Sequence, residues 1–149
     1  MEPKELRSIQ ELLKEQYRKD PAATRVTLRA RVAAAGLHPA TGGDGTQLCS
    51  GYMLLEAPAA CAGVTLRAVA TSLGVEVPSG TVEVEGDLDF RGSLSVDRDA
   101  PVCFTSIRVQ FVLDSDASDD DLDTFLRLTE RYCVVGQTLT ASPTLAFSR

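Results

Sequence analysis

Four cysteines, Cys49, Cys61, Cys103 and Cys133, are the side chains of this sequence best suited to do chemistry. A thiolate is a strong nucleophile and a metal ligand. None of the four falls in a C-x-x-C pair or beside an H-x-x-x-H pair, so no metal site is expected. His38 is the only histidine. A Ser–His–Asp or Cys–His arrangement would have to use it, and the better expectation is a loop histidine without a special role. Gly42, Gly43 and Gly45 surround no G-x-x-x-x-G-K-[ST] pattern, so a plain loop is expected there rather than a phosphate cradle. Cys61 stands among small residues, Ala59-Ala60-Cys61-Ala62-Gly63, and Cys133 follows 72 positions later in Glu130-Arg131-Tyr132-Cys133-Val134-Val135. Spacing alone leaves two readings open. Each is a buried small hydrophobe, the commonest fate of free cysteine, or the fold unites them as reactive thiols.

The elements that would position these residues read as follows. Glu2–Lys19 is expected to be a helix, with Leu6, Ile9, Leu13 and Tyr17 forming an apolar stripe that Pro21 ends. Thr24–Val32 reads as a strand and Gly36–Gly45 as a loop. Ser50–Leu73 is the most apolar helix and is expected inside the protein, ended by Gly74. Pro58 predicts a kink or a fresh helix start, which would place Cys61 in a first helical turn whose dipole favours thiolate. Thr81–Phe90 alternates as a strand, with Ser93–Val96 a candidate hairpin partner across Arg91–Gly92. Phe104–Leu113 reads as a long strand with Ile107, Val109 and Phe111 on one face. Asp119–Cys133 reads as a helix capped by Ser118, with acidic residues at its positive end. Thr138–Thr140 and Thr144–Phe147 read as short terminal strands. Strands grouped between helices make the fold class α+β.

With 149 residues, a single domain over 1–149 is expected. A net charge of −6 argues against nucleic acid and against an anionic membrane surface as partners. The N-terminal segment is charged throughout, and no stretch approaches the length of apolar chain a membrane helix needs. A cytoplasmic, reducing location follows as an expectation. Free thiols are then expected rather than a disulfide framework.

Three segments carry a resemblance. They are the Cys61 helix continuing as Leu66-Arg67-Ala68-Val69-Ala70, the strand Val84-Glu85-Gly86-Asp87-Leu88-Asp89-Phe90, and the Glu130–Val135 block. Together they resemble the OsmC/Ohr family from about Gly36 to the C-terminus, with weaker likeness over Glu15–Ala30. The resemblance implies antiparallel sheets packed on a central buried helix and an intertwined homodimer, with the N-terminal helix packing across it. It also implies a thiol-dependent peroxidase acting on a small apolar organic hydroperoxide without a cofactor. In that scheme Cys61 is the peroxidatic thiol and Cys133 the resolving thiol. Arg18 is the candidate arginine of the site, and an external dithiol is the reductant.

Several residues depart from the family pattern. Its acidic residue lies roughly nine or ten positions before the first cysteine, where this chain has Tyr52 and Gly51; Glu56 is acidic but only five positions away. Val134 replaces a frequent proline and Gly136 a larger side chain. Little more than Val32–Ala35 remains where relatives place another strand or hairpin. Tyr52, Glu56, Pro58 and Gly136 are therefore the candidate pocket residues. Two alternatives follow. One is a repurposed cysteine catalyst attacking an electrophilic carbon, with Tyr52 as donor. The other is a catalytically silent dimer that binds a small apolar ligand.

Overall fold

In a computed structural model of the chain, the described residues are 3–21, 27–30 and 35–148. The chain divides into two compact units, Met1–Ala33 and Ala34–Arg149. The first unit holds α1, Pro3–Lys19, whose Ile9, Leu13 and Tyr17 are exposed and whose Lys14 pairs with Glu11 at 2.6 Å. Of the strand expected at Thr24–Val32, only residues 27–30 are described, and they have no regular structure; the rest lies outside the described residues.

The second unit is α+β, as expected. The loop before α2 contains one 3₁₀ turn, Pro39–Thr41. Then follow α2 (Ser50–Leu73), β1 (Ser79–Leu88), the single turn α3 (Phe90–Ser93), β2 (Phe104–Asp114), α4 (Asp119–Tyr132) and α5 (Val134–Ala141). Among the described residues the sheet is one antiparallel ribbon, β1 against β2, with Val82 opposite Phe111, Val84 opposite Val109 and Glu85 opposite Arg108. Alternation gives the ribbon two unlike faces. Val82, Val84, Ile107, Val109 and Phe111 share one face, and Glu83, Glu85, Asp87 and Arg108 share the other. The apolar face meets α2. Gly86 makes that approach close: a Cβ there would lie 3.0 Å from Leu55 Cδ2 and 2.6 Å from the Phe104 ring.

The core forms where α2 and α4 cross. Leu66, Val69, Ala70 and the fully buried Phe125 make its centre, flanked by Phe111, Leu113, Leu122 and Leu128. Ser118 caps α4 by accepting the Asp121 N–H at 3.3 Å, as its residue type predicts.

Several expectations are overturned. The helix does not restart at Pro58. α2 runs unbroken from Ser50 to Leu73 with the Pro58 ring buried inside the fold, so ring packing offsets the backbone bond that proline cannot make to the Leu54 carbonyl. Ser93–Val96 is not a hairpin strand. Asp89 accepts the Arg91 N–H at 3.0 Å and starts the α3 turn, so β1 takes the more distant β2 as its partner. Thr138–Thr140 lies in helix α5. Its hydroxyls bond back into the preceding turn, Thr138 Oγ1 to the Val134 carbonyl at 2.8 Å and Thr140 Oγ1 to the Gln137 carbonyl at 3.0 Å, which accommodates these β-branched residues in a helix. Thr144–Phe147 has no regular structure. Finally, among the described residues one helix is long and apolar enough to cross a membrane by length and composition, α2 itself. Here it packs instead on β1, α4 and α5.

Candidate active site

The crossing of α2 and α4 that builds the core at one end brings two sulfurs together at the other. Cys61 lies in mid-α2 and is half-buried; Cys133 lies between α4 and α5 and is buried. Cys133 closes α4 by donating its N–H to the Thr129 carbonyl at 2.8 Å. Its Sγ then accepts the Gly136 N–H at 3.4 Å and so caps α5. One residue thus ends one helix and begins the next, with its sulfur at the positive end of α5.

Cys61 Sγ faces the same end. The Val135 N–H is the main influence that pulls its pKa below the ordinary thiol value of 9.0, although partial burial opposes it. The Cys133 thiol, the Thr65 hydroxyl and the Val134 N–H add to the lowering. Thr65 also donates to the Cys61 carbonyl at 2.8 Å, so it is held on that turn. Cys133 moves the opposite way. Burial raises its pKa, the Gly136 N–H opposes that rise, and the neighbouring Cys61 sulfur adds to it. The pair therefore divides its roles: Cys61 is the more acidic thiol and Cys133 the less acidic one. The helix end that stabilises the anion belongs to α5, not to a second half of α2. First-turn N–H groups lack partners within their own helix, and the dipole there favours negative charge.

An apolar trough of about 750 Å³ runs beside Cys133. Pro58 and Ala62 of α2 line it with Ile107, Val109 and Phe111 of β2 and Leu126 of α4, and Cys133 and Gly136 open onto it. Gly136 keeps the wall thin, since a Cβ there would sit 3.4 Å from Cys133 Sγ. Thr129, one turn before Cys133 and 1% exposed, also lines the trough, and its hydroxyl has no hydrogen-bond partner.

The other candidate residues are placed elsewhere. Tyr52 and Glu56 line a different cleft of about 630 Å³, together with Asp87 and Arg108. Pro58 and Gly136 are thus in the trough wall with Cys133, whereas Tyr52 and Glu56 are not. Arg18 is exposed in the last turn of α1, within the N-terminal unit. His38 accepts the Ala40 N–H at 3.1 Å and stacks on Phe90 at 4.9 Å, a structural setting. Cys103 is exposed, and Cys49 caps no group at the start of α2.

Sequence reasoning missed two features. One is the α5 N-terminus, because Val134-Val135-Gly136 carries no strong helix signal. The other is the Arg108 cluster on the polar face of the ribbon. Arg108 binds both oxygens of Asp87 and reaches Glu85 at 3.3 Å, which holds the Asp87 carboxyl below the usual carboxylate range. Only the register reveals it, by setting Glu85 opposite Arg108.

Comparison with known proteins agrees with this fold. No curated protein sequence matches the chain significantly. Solved structures do share its fold. An OsmC-like protein from Mycoplasma pneumoniae superposes with a TM-score of 0.58 at 17% identity, covering 66% of each chain. An organic hydroperoxide resistance protein OsmC from Legionella pneumophila gives 0.57 at 13% identity over 70% of each. An OsmC-like protein from Vibrio cholerae gives 0.56 at 16% identity, covering 70% of this chain and 69% of that one. The first of these spans just under two thirds of the relative's length. A family model described as OsmC-like protein matches residues 43–148, a stretch that includes both cysteines, the ribbon and every helix from α2 onward, and the chain belongs to that family.

Proposed function

We propose that this chain is a thiol-dependent peroxidase that reduces organic hydroperoxides through Cys61 and Cys133. The observation that carries this reading is the pair itself. Two sulfurs near enough to shift each other's acidity, Cys61 downward and Cys133 upward, meet at a helix N-terminus, with Cys133 on the wall of an apolar trough. The Cys61 thiolate attacks the distal peroxide oxygen. The O–O bond breaks, and its electron pair leaves with the alkoxide, which takes a proton to become an alcohol. Cys61 is now a sulfenic acid. The Cys133 sulfur attacks it, the S–O bond breaks, water leaves, and a disulfide forms. An external dithiol returns both cysteines to thiols and becomes oxidised itself. The trough suits an apolar alkyl or aryl group on the peroxide.

The alternative attack on an electrophilic carbon relied on Tyr52 as donor, and Tyr52 lines a different cleft from the one beside the sulfurs. Arg18 is the proposed cation that adds to the α5 amides. A second copy of the chain is the proposed partner. α2, a long apolar helix, leaves most of its apolar window uncovered within one chain, with Val64 71% exposed. Stopped-flow oxidation of the reduced protein by cumene hydroperoxide tests the activity. If Cys61→Ser is oxidised by the peroxide at the wild-type rate, the reading fails.

A further inference from the structure

α5 lies against α2 and α4, and its start is held at the thiol pair. α5 has no buried residue. It ends at Ser142, whose φ of 46° lies in the left-handed region, and residues 142–148 are exposed and irregular. The threonine hydroxyls of α5 bond within α5 itself. Outside its first turn, one side-chain tether ties it to α4: Gln137 Nε2 donates to the Glu130 carbonyl at 2.9 Å. Its first turn is different. Helix starts leave four N–H groups without partners inside the helix, and here the Gly136 N–H goes to Cys133 Sγ at 3.4 Å while the Val134 and Val135 N–H groups lie near enough to the thiol pair to lower the Cys61 pKa.

We infer that forming the Cys61–Cys133 disulfide releases α5 and the 142–148 segment from the fold, uncovering the disulfide for its reductant, and that reduction docks them again. This rests on the peroxidase reading only for the identity of the natural oxidant. The physical reason lies in the acceptors. In the reduced chain the α5 N-terminus meets a free cysteine sulfur that accepts the Gly136 N–H at 3.4 Å, at a helix end whose dipole favours an electron-rich acceptor. A disulfide sulfur accepts hydrogen bonds poorly, and drawing Cys133 Sγ into a bond with Cys61 turns it from that cap, so oxidation weakens the start of α5. Isolated helices shorter than about 12–15 residues are marginal in water, and α5 has only eight residues and no buried side chain to hold it. The site thereby opens when it needs a reductant and closes when it needs a peroxide.

Amide hydrogen exchange read by mass spectrometry on the full chain tests this. Three states are compared: the dithiol, the disulfide made with cumene hydroperoxide, and the disulfide made with diamide, each confirmed by mass. Peptides covering 134–141 are expected to exchange at least about tenfold faster in both disulfide states, with those of α4 unchanged. If diamide makes the disulfide and releases α5 but the peroxide makes none, the peroxidase reading falls and the switch stands. A disulfide-linked chain whose 134–141 amides exchange as slowly as in the dithiol overturns the switch. Cys61→Ala supplies the second arm. It is expected to show fast exchange in α5 under reducing conditions and no response to diamide, and wild-type protection there equally overturns the proposal.

Discussion

At the scale of single residues, the two cysteines differ because their surroundings differ. The Cys61 pKa is lowered, chiefly by the Val135 N–H, whereas burial raises that of Cys133. Alkylation by iodoacetamide should therefore label Cys61 first, with a half-maximal pH below 9.0, and Cys133 only above that value. The sign extends to folding. The folded chain binds the Cys61 proton less tightly than the unfolded chain, so this group's stabilisation is complete above the unfolded thiol pKa. It is lost as pH falls through the lower folded-state value. Cys133→Ser should still consume one equivalent of peroxide but stop at the sulfenic acid, which then proceeds to sulfinic acid under excess peroxide; intact-protein mass spectrometry reads both products. Thr129 presents a separate case. Its buried hydroxyl lacks a partner, so Thr129→Val, equal in shape, should leave the melting temperature unchanged or raise it, a stability change of at most about 1–3 kcal/mol.

At the scale of elements, α4 places both the core and the site. Its Ser118 cap fixes where the helix starts, Phe125 anchors it to α2, and the axis delivers Cys133 two turns later. Ser118→Ala should cost about 0.5–2 kcal/mol, read as a lower denaturation midpoint with an unchanged slope. Phe125→Ala leaves a cavity in the only buried cluster of large side chains among the described residues and should cost about 3–5 kcal/mol. It should also slow disulfide formation, because α4 then holds Cys133 less firmly against α2. Pro58 teaches the opposite lesson from its reputation. Inside α2 it gives up one backbone bond, yet its buried ring forms part of the trough wall.

At the scale of the whole molecule, the second unit has more apolar surface than its interior can hold. Val64, Leu54 and Leu73 of α2 and Val112 of β2 are all exposed. Stable homodimer interfaces commonly bury such surface from each copy. Light scattering on the eluting protein should give a mass near twice 15.9 kDa. Val64→Asp should shift the protein toward the monomer and lower its thermal stability together. A monomeric wild type would remove the dimer from the proposal and leave the thiol chemistry to be judged within one chain.

Much of this was legible in the order of residues. Hydrophobic periodicity located α1, α2 and α4 to within a residue or two, since each has an apolar stripe at helical spacing and a clear start or stop. The two long strands alternate, and so they too could be read. The cysteines were recognisable as candidates. Three matters depended on contacts between distant segments and could not be read locally. Strand pairing skipped the nearby Ser93–Val96 because α3 curls it away. The α5 helix forms where threonines suggest strand, because Cys133 caps it. The source of the positive field at Cys61 is a helix that begins 73 positions later in the chain. Local pattern determined which segments are helix and which thiols exist. Tertiary packing decided which helix end those thiols face, because an electric field reaches across space without regard to position along the chain.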